Sequence, residues 1–266
     1  MRINNIDTGL KYITFDNIEG TGFVRHAFST RLGGVSKKPY DSMNLGMRRG
    51  DERESVLENY RRLASAVGFD YTCVVSSNQI HHINIHRARS EDRGSGTVRQ
   101  SNIKDVDAFV TNEMGIVLQT FHADCVPVFL ADIYNKAIGL VHAGWMGTLK
   151  GVTKATIERM IEEFGTEPQN IVAAIGPSIG PYSFETDDDV ADKFRGEFGE
   201  FIAERGGKYL IDLWGINRRV MEGLGVRPTN IEESYLCTYK HPELFFSHRK
   251  MGEDRGTMSA FMEIVG

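Results

Sequence analysis

The middle of the chain constrains its fold more than any other part. Val117–Phe121, Val126–Ala131 and Ala137–Val141 are closely spaced apolar runs of strand length, the last two parted only by the polar break Asp132–Asn135. A further buried-type strand, Asn170–Ile175, is closed by Gly176-Pro177. Around this strand-rich centre the spacing predicts helices over Asp51–Val67, Thr148–Phe164, Val190–Glu204 and Ile211–Leu224. The first of these carries Val56, Tyr60, Leu63 and Val67 on one face, with Asp51 as N-cap and Gly68 as stop. Loose alternation over 10–28 predicts paired strands around the Glu19–Gly22 turn, and 73–86, 231–237 and 244–247 read as strands. Residues 32–42 read as a loop, and 89–104, rich in Arg, Ser, Gly and Asp, as a mobile surface loop. Helices and strands follow one another without regular alternation, which favours an α+β fold over a doubly wound parallel sheet.

A chain of 266 residues can bury a sizeable core, and no repeat or long linker divides it, so one domain over 1–266 is expected. The net charge of -5 gives no global attraction to nucleic acid or anionic lipid. There is no Walker loop, no Cys/His finger spacing and no basic stripe interleaved with aromatics, so no nucleic-acid partner is expected. No stretch approaches the roughly 20 apolar residues of a membrane helix, and Asn, Asp and Gly break up the N-terminal segment, leaving no signal-peptide core. Cys73, Cys125 and Cys237 read as reduced thiols. These features predict a cytoplasmic protein without a membrane partner. Charge is uneven locally: Arg25, Arg31, Lys37, Lys38, Arg48 and Arg49 crowd the N-terminal part, as a solvated surface or as the source of an anion pocket.

Chemistry concentrates at three residues. Read as a strand, 79–86 places His81, Ile83 and Ile85 on an inward apolar face and His82, Asn84 and His86 on the other. Cys125 lies between two apolar runs, and Pro127, which cannot donate to a ladder, predicts a bulge or strand end beside the thiol. His142 ends a strand and opens the Gly-punctuated turn His142–Thr148. A Cys thiolate with two imidazoles suits Zn²⁺, and three protein ligands leave a fourth position for water or substrate, the catalytic pattern. Spacing alone leaves their convergence open, since no His-Glu-x-x-His or paired Cys-x-x-Cys motif occurs.

Nearly the whole chain resembles the YfiH-type laccase-domain proteins, also labelled polyphenol oxidases and regarded as zinc-dependent purine nucleoside phosphorylases. The resemblance rests on Ala27–Arg31 with Gly33–Ser36, Asn44-Leu45-Gly46 with Asp51, Gln79-Ile80-His81, Asp107-Ala108, Ala123–Pro127, His142–Trp145, Ile175–Gly180 and Cys237-Thr238 with Phe246–Arg249. It implies a layered α/β/β/α sandwich with mixed sheets and metal ligands at His81, Cys125 and His142. It further implies phosphorolysis of adenosine, inosine and methylthioadenosine, with adenosine deamination as a side activity. Zn²⁺ is the implied ion and Cu²⁺ the second candidate; purine nucleoside and phosphate are the implied partners. Four departures bear on anion binding: Asn59-Tyr60 stands where the family often has Asn-Arg, Arg48 where it has a His, Lys250 where a second Arg is common, and Arg255-Gly256-Thr257 where it has Thr-Gly-Arg.

Besides the three ligands, Asp124 is a candidate to orient a ligand or move a proton, with backbone capping as its other role. Arg31, Arg48 and Arg249 are candidate phosphate forks, Ser247 and Ser29 candidate pocket residues, and Trp145 a pocket or core residue. Three other enzymes compete. A thiol hydrolase or cell-wall-precursor amidase would use Cys125 and His142 directly. A copper polyphenol oxidase would need more His ligands. Gly176–Gly180 spells a Gly-x-Ser-x-Gly serine elbow, but Pro177 and Pro181 predict a plain turn there. A binding or scaffold protein would keep the fold without turnover.

Overall fold

The computed structural model describes residues 1–266. Two six-stranded sheets form its centre. The first runs Arg2–Asn5, Lys11–Thr14, Val24–Ser29, Met258–Ile264, Val117–His122, Val74–Val75, antiparallel except for the last pair. The second runs Ile231–Glu233, Ile171–Ile175, Val126–Asp132, Ala137–Ala143, Ala108–Thr111, Ile85–Arg87, antiparallel inside and parallel at both edges.

Alternation along the strands sorts the side chains into layers. In Val126–Asp132, Val126, Val128 and Leu130 meet Ile157 and Met160 of the helix Val152–Phe164, while Phe129 and Ala131 turn inward. There they join Ile138 and Leu140 from the same sheet and Phe28, Leu118, Ala260 and Met262 from the other. The outer face of the first sheet, with Val117 and Phe261, is covered by Val56, Tyr60 and Leu63 of the helix Arg53–Val67. The order is therefore helix, sheet, sheet, helix, the mixed α+β sandwich anticipated. No helix is long and apolar enough to cross a membrane.

Local chemistry departs from the sequence expectations in several places. The strand 73–86 shrinks to Val74–Val75 and Ile85–Arg87. Gly151, in the left-handed region, splits the expected helix 148–164 into Trp145–Lys150 and Val152–Phe164. The expected helix 190–204 covers Asp188–Phe198, and Ile202–Arg205 then pairs with Lys208–Ile211. Gly206-Gly207, both at positive φ, form the turn of that hairpin. Its second strand takes Ile211, so the next helix is Leu213–Gly223, with Asp212 accepting from the Gly215 amide as N-cap. The strands Lys11–Thr14 and Val24–Ser29 pair as anticipated, though a helical turn, Asp16–Glu19, lies between them. Asp51 does not cap the helix Arg53–Val67, which starts from Glu52; its carboxylate accepts instead from the Glu52 amide and from Asn44 Nδ2. Residues 244–247 form no strand, and 231–237 only Ile231–Glu233. Met258–Ile264, which nothing in the alternation singled out, is a central strand buried on both faces. The segment 89–104 is packed rather than free: Ser95, Thr97 and Ser101 are buried in it.

Candidate active site

The site forms where the chain passes from one sheet to the other. Val117–His122 belongs to the first sheet and Val126–Asp132 to the second, so Cys125 sits in the short crossing, just before a strand in which Pro127 pairs with His142. That is the strand end predicted beside the thiol. His81 reaches the same point from a loop. It is exposed, with φ 60, and Ile80 and Ile83 are exposed too, so the inward apolar face expected of 79–86 does not exist.

A single carboxylate explains why. Asp107, fully buried, accepts from the amides of Ile80 (3.2 Å), His81 (2.9 Å) and His82 (2.9 Å), which turns that segment away from any ladder. Its Oδ1 also accepts from His142 Nδ1 at 2.9 Å. Asp107 thus orients both histidines and leaves His142 Nε2 as the nitrogen able to bind a metal. From the other side, Gln79 exchanges two hydrogen bonds with the backbone of Phe121, tying the His81 loop to the first sheet. One donor atom from each of His81, Cys125 and His142 lies within 4.8 Å of the other two. Gly144 packs against this cluster so closely that a Cβ there would stand 2.7 Å from His81 Cδ2 and 3.1 Å from Cys125 Sγ.

Within the donor set, opposite charges stabilise one another against burial. Burial pushes the Cys125 thiol up, but His142 and His81 outweigh it and hold the group below the ordinary thiol range. Burial works against the His142 imidazolium, yet Cys125 and Asp107 lift it above the usual value. Asp107 stays below the usual carboxylate range despite burial, through His142 and the loop amides. His122 lies nearby but offers no ligand. Burial and then His142 push it well below the usual imidazole range, and both ring nitrogens are engaged, by Cys125 O and Thr120 Oγ1. A ready thiolate, one carboxylate-oriented imidazole and one exposed imidazole fit a zinc ion.

Two cavities, of about 300 and 460 Å³, border the cluster and share Arg49, His81, Ala123, Cys125 and Arg255. The first has Ser76, Ser77 and Asn78 in its wall. The second is walled by Trp145, Ile179, Phe184 and Leu213. Arg255 is 9% exposed, and burial followed by the neighbouring Arg49 push its guanidinium down to about 10. Nε and Nη2 of Arg49 and Nε of Arg255 are buried without any hydrogen-bond partner.

The other sequence candidates fall in different places. Arg48 is exposed on the wall of the first cavity and Arg249 on that of the second, where Arg249 Nη1 donates to Glu185 O. Arg31 lies outside both walls; its guanidinium donates to the carbonyls of Asp41 and Pro242 and stacks on Phe246. Asp124, at φ 88, accepts from Thr238 Oγ1 (2.6 Å) and the Arg249 amide (2.7 Å), the capping role. Ser247 is buried and caps the turn His248–Met251, and Ser29 Oγ accepts from the Ser259 amide within the first sheet. Trp145 is half-buried in the second cavity's wall. Ser178 of the apparent serine elbow is buried, accepts from Trp214 Nε1, and is followed by no helix. Sequence reasoning passed over Asp107, Arg49 and Arg255 as functional residues; the last two had shown only as part of a basic cluster and as a departure from a motif.

A model of the family described as multi-copper polyphenol oxidoreductase laccase matches residues 25–265. YlmD of Bacillus subtilis, named a purine nucleoside phosphorylase, is 34% identical over 244 residues, 90% of this chain and 87% of that protein. A purine nucleoside phosphorylase of Deinococcus radiodurans is 38% identical over 238 residues, 89% of this chain and 88% of its own. The crystal structure of YlmD from Geobacillus stearothermophilus superposes with a TM-score of 0.91 at 32% identity, covering 99% of both chains. With the match running almost from end to end, the chain belongs to the multi-copper polyphenol oxidoreductase laccase family.

Proposed function

We propose that the protein is a purine nucleoside phosphorylase that cleaves adenosine, inosine and methylthioadenosine with phosphate, and deaminates adenosine as a side reaction. The observation that carries this reading is the convergence of His81, Cys125 and His142 at the junction of two cavities. The similarity to proteins named purine nucleoside phosphorylase supports it. In the reaction a phosphate oxygen bonds to the ribose C1′ as the C1′–N9 bond breaks. Its electron pair leaves with the purine, which takes up the proton that the phosphate gives up.

His81, Cys125 and His142 would hold the zinc ion, which supplies a Lewis acid for the polar atoms of the reactants and, for deamination, an activated water. Asp107 keeps the proton on His142 Nδ1 and fixes the His81 loop, so the donor set is in place before any ligand arrives. Trp145, Ile179, Phe184 and Leu213 offer apolar wall against which a purine ring can pack. Copper oxidase chemistry has less support, because the cluster offers donors for one ion and both nitrogens of His122 are already engaged. The depressed Cys125 thiol beside His142 favours a second reading, a metal-independent thiol hydrolase or amidase.

Chromatography of adenosine incubated with the purified protein, with and without phosphate, separates these readings. Adenine that forms only with phosphate is the expected result, and inosine formed without phosphate reports the deaminase. Neither product from a zinc-loaded, folded protein overturns the proposal in favour of the thiol reading.

A further inference from the structure

We propose that Arg49 and Arg255 form a two-arginine clamp that seats inorganic phosphate between the two cavities, beside the His81–Cys125–His142 cluster. This rests on the phosphorolysis reading for the ligand's role, but the clamp itself is argued from the unsatisfied guanidinium groups. A buried charged donor without a partner is rare in a folded chain and costly to keep. Three such nitrogens lie on these two residues, both of which line both cavities. Arg255 Nη1 donates to Gly256 O at 3.1 Å, and Arg49 Nη1 meets only the exposed Glu253, at 3.4 Å. Arg31 shows what a structural arginine looks like here: Nε, Nη1 and Nη2 all donate to carbonyl oxygens.

The fold holds this repulsive pair together on purpose-built connections. Asn44 Oδ1 accepts from the amides of both Gly46 and Thr257, and the Leu45 amide donates to Thr257 O, so the two arginine-bearing segments are stapled to each other. Asn59 and Tyr60 of the helix Arg53–Val67 fix the first segment by donating to the carbonyls of Asn44 and Leu45. A Cβ on Gly46 would stand 2.7 Å from Arg49 Cγ, so the Arg49 stem lies directly against the staple. Two guanidinium groups lining the same two cavities, with three unpartnered nitrogens between them, match a tetrahedral oxyanion with several acceptor oxygens. Holding two oxygens of HPO₄²⁻ leaves another free to bond to C1′, while the proton of that ion ends on the departing purine.

The test compares the zinc-loaded wild type with Arg49→Gln, Arg255→Gln, the double variant and Arg255→Lys. Each single Gln variant is expected to raise KM for phosphate about 10- to 100-fold and to leave KM for the nucleoside within about twofold, with zinc content unchanged. Arg255→Lys, which keeps the charge but not the fork, falls between. Calorimetric titration with inorganic phosphate alone, without nucleoside, gives a readout that does not depend on turnover. Phosphate binding by the wild type that the double variant loses supports the clamp even if no nucleoside is cleaved, in which case only the phosphorylase reading falls. An unchanged phosphate KM or binding isotherm in the double variant overturns the clamp, as does wild-type binding of adenosine monophosphate without binding of free phosphate. Arg49 is part-exposed, so its variant remains informative should Arg255→Gln fail to fold.

Discussion

The two halves of the site are built on opposite principles. At the histidine–cysteine cluster the polar groups that set the geometry are satisfied internally: Asp107 neutralises and orients, and Gln79 and three loop amides are paired. At the arginine pair, two like charges are held side by side with partnerless nitrogens. In the first region every buried charge has a partner, so removing one strands the others. The second is held against its own repulsion by staples elsewhere, which is how binding sites commonly trade stability for function. Removing a group should therefore have opposite signs of effect in the two regions.

Asp107→Ala tests the first half most severely. It strands His142 Nδ1 and three amides, so the fold is expected to lose about 3–5 kcal/mol and zinc affinity at least about 10-fold, read by thermal unfolding with and without zinc. Gly144→Ala is narrower. Gly144 has φ -65 and ψ 168, which any residue adopts, so the added Cβ acts only by crowding His81 and Cys125. Zinc affinity should fall about 10- to 100-fold, as for other disturbances of ligand orientation, while the unfolding midpoint of the metal-free protein moves little. In the second half the sign reverses. Arg255→Met, in phosphate-free buffer, is expected to raise the midpoint by about 2 °C or more; a fall of several degrees would erase the contrast between the regions.

A pH effect concerns the background against which both are measured. His26, buried between the sheets, accepts from the Phe15 amide, and burial pushes it down to about 3. Its neutral form is favoured in the folded state, so its contribution is intact above the unfolded value near 6.5 and is lost as pH falls towards 3. Stability should drop across that window by up to about 1.4 kcal/mol per pH unit, and His26→Gln should flatten the slope in an acid-unfolding series.

The same contrast explains what could be read from the sequence. His81, Cys125 and His142 belong to residue types with few roles, and family motifs surround each, so the cluster was legible before the structure. The reason given for His81 was not the one found, because a strand period cannot reveal a loop folded around a distant carboxylate. Asp107 was visible only as part of a motif, since its work is done through backbone amides far away in sequence. Arg49 and Arg255 are separated by two hundred residues and resemble any surface cation until Asn44 is seen to join their segments. The α+β class was legible in the irregular order of helices and strands, and the layered sandwich in the family resemblance. Met258–Ile264 escaped because a strand buried on both faces shows no clean alternation.

The most direct measurement of the central claim pairs zinc analysis with phosphate-dependent adenine release on the same preparations of wild type and Cys125→Ala. The account predicts about one zinc per chain with adenine formed only in the presence of phosphate for the wild type, and neither zinc nor adenine for the variant. Undiminished phosphorolysis by a zinc-free Cys125→Ala protein would contradict it.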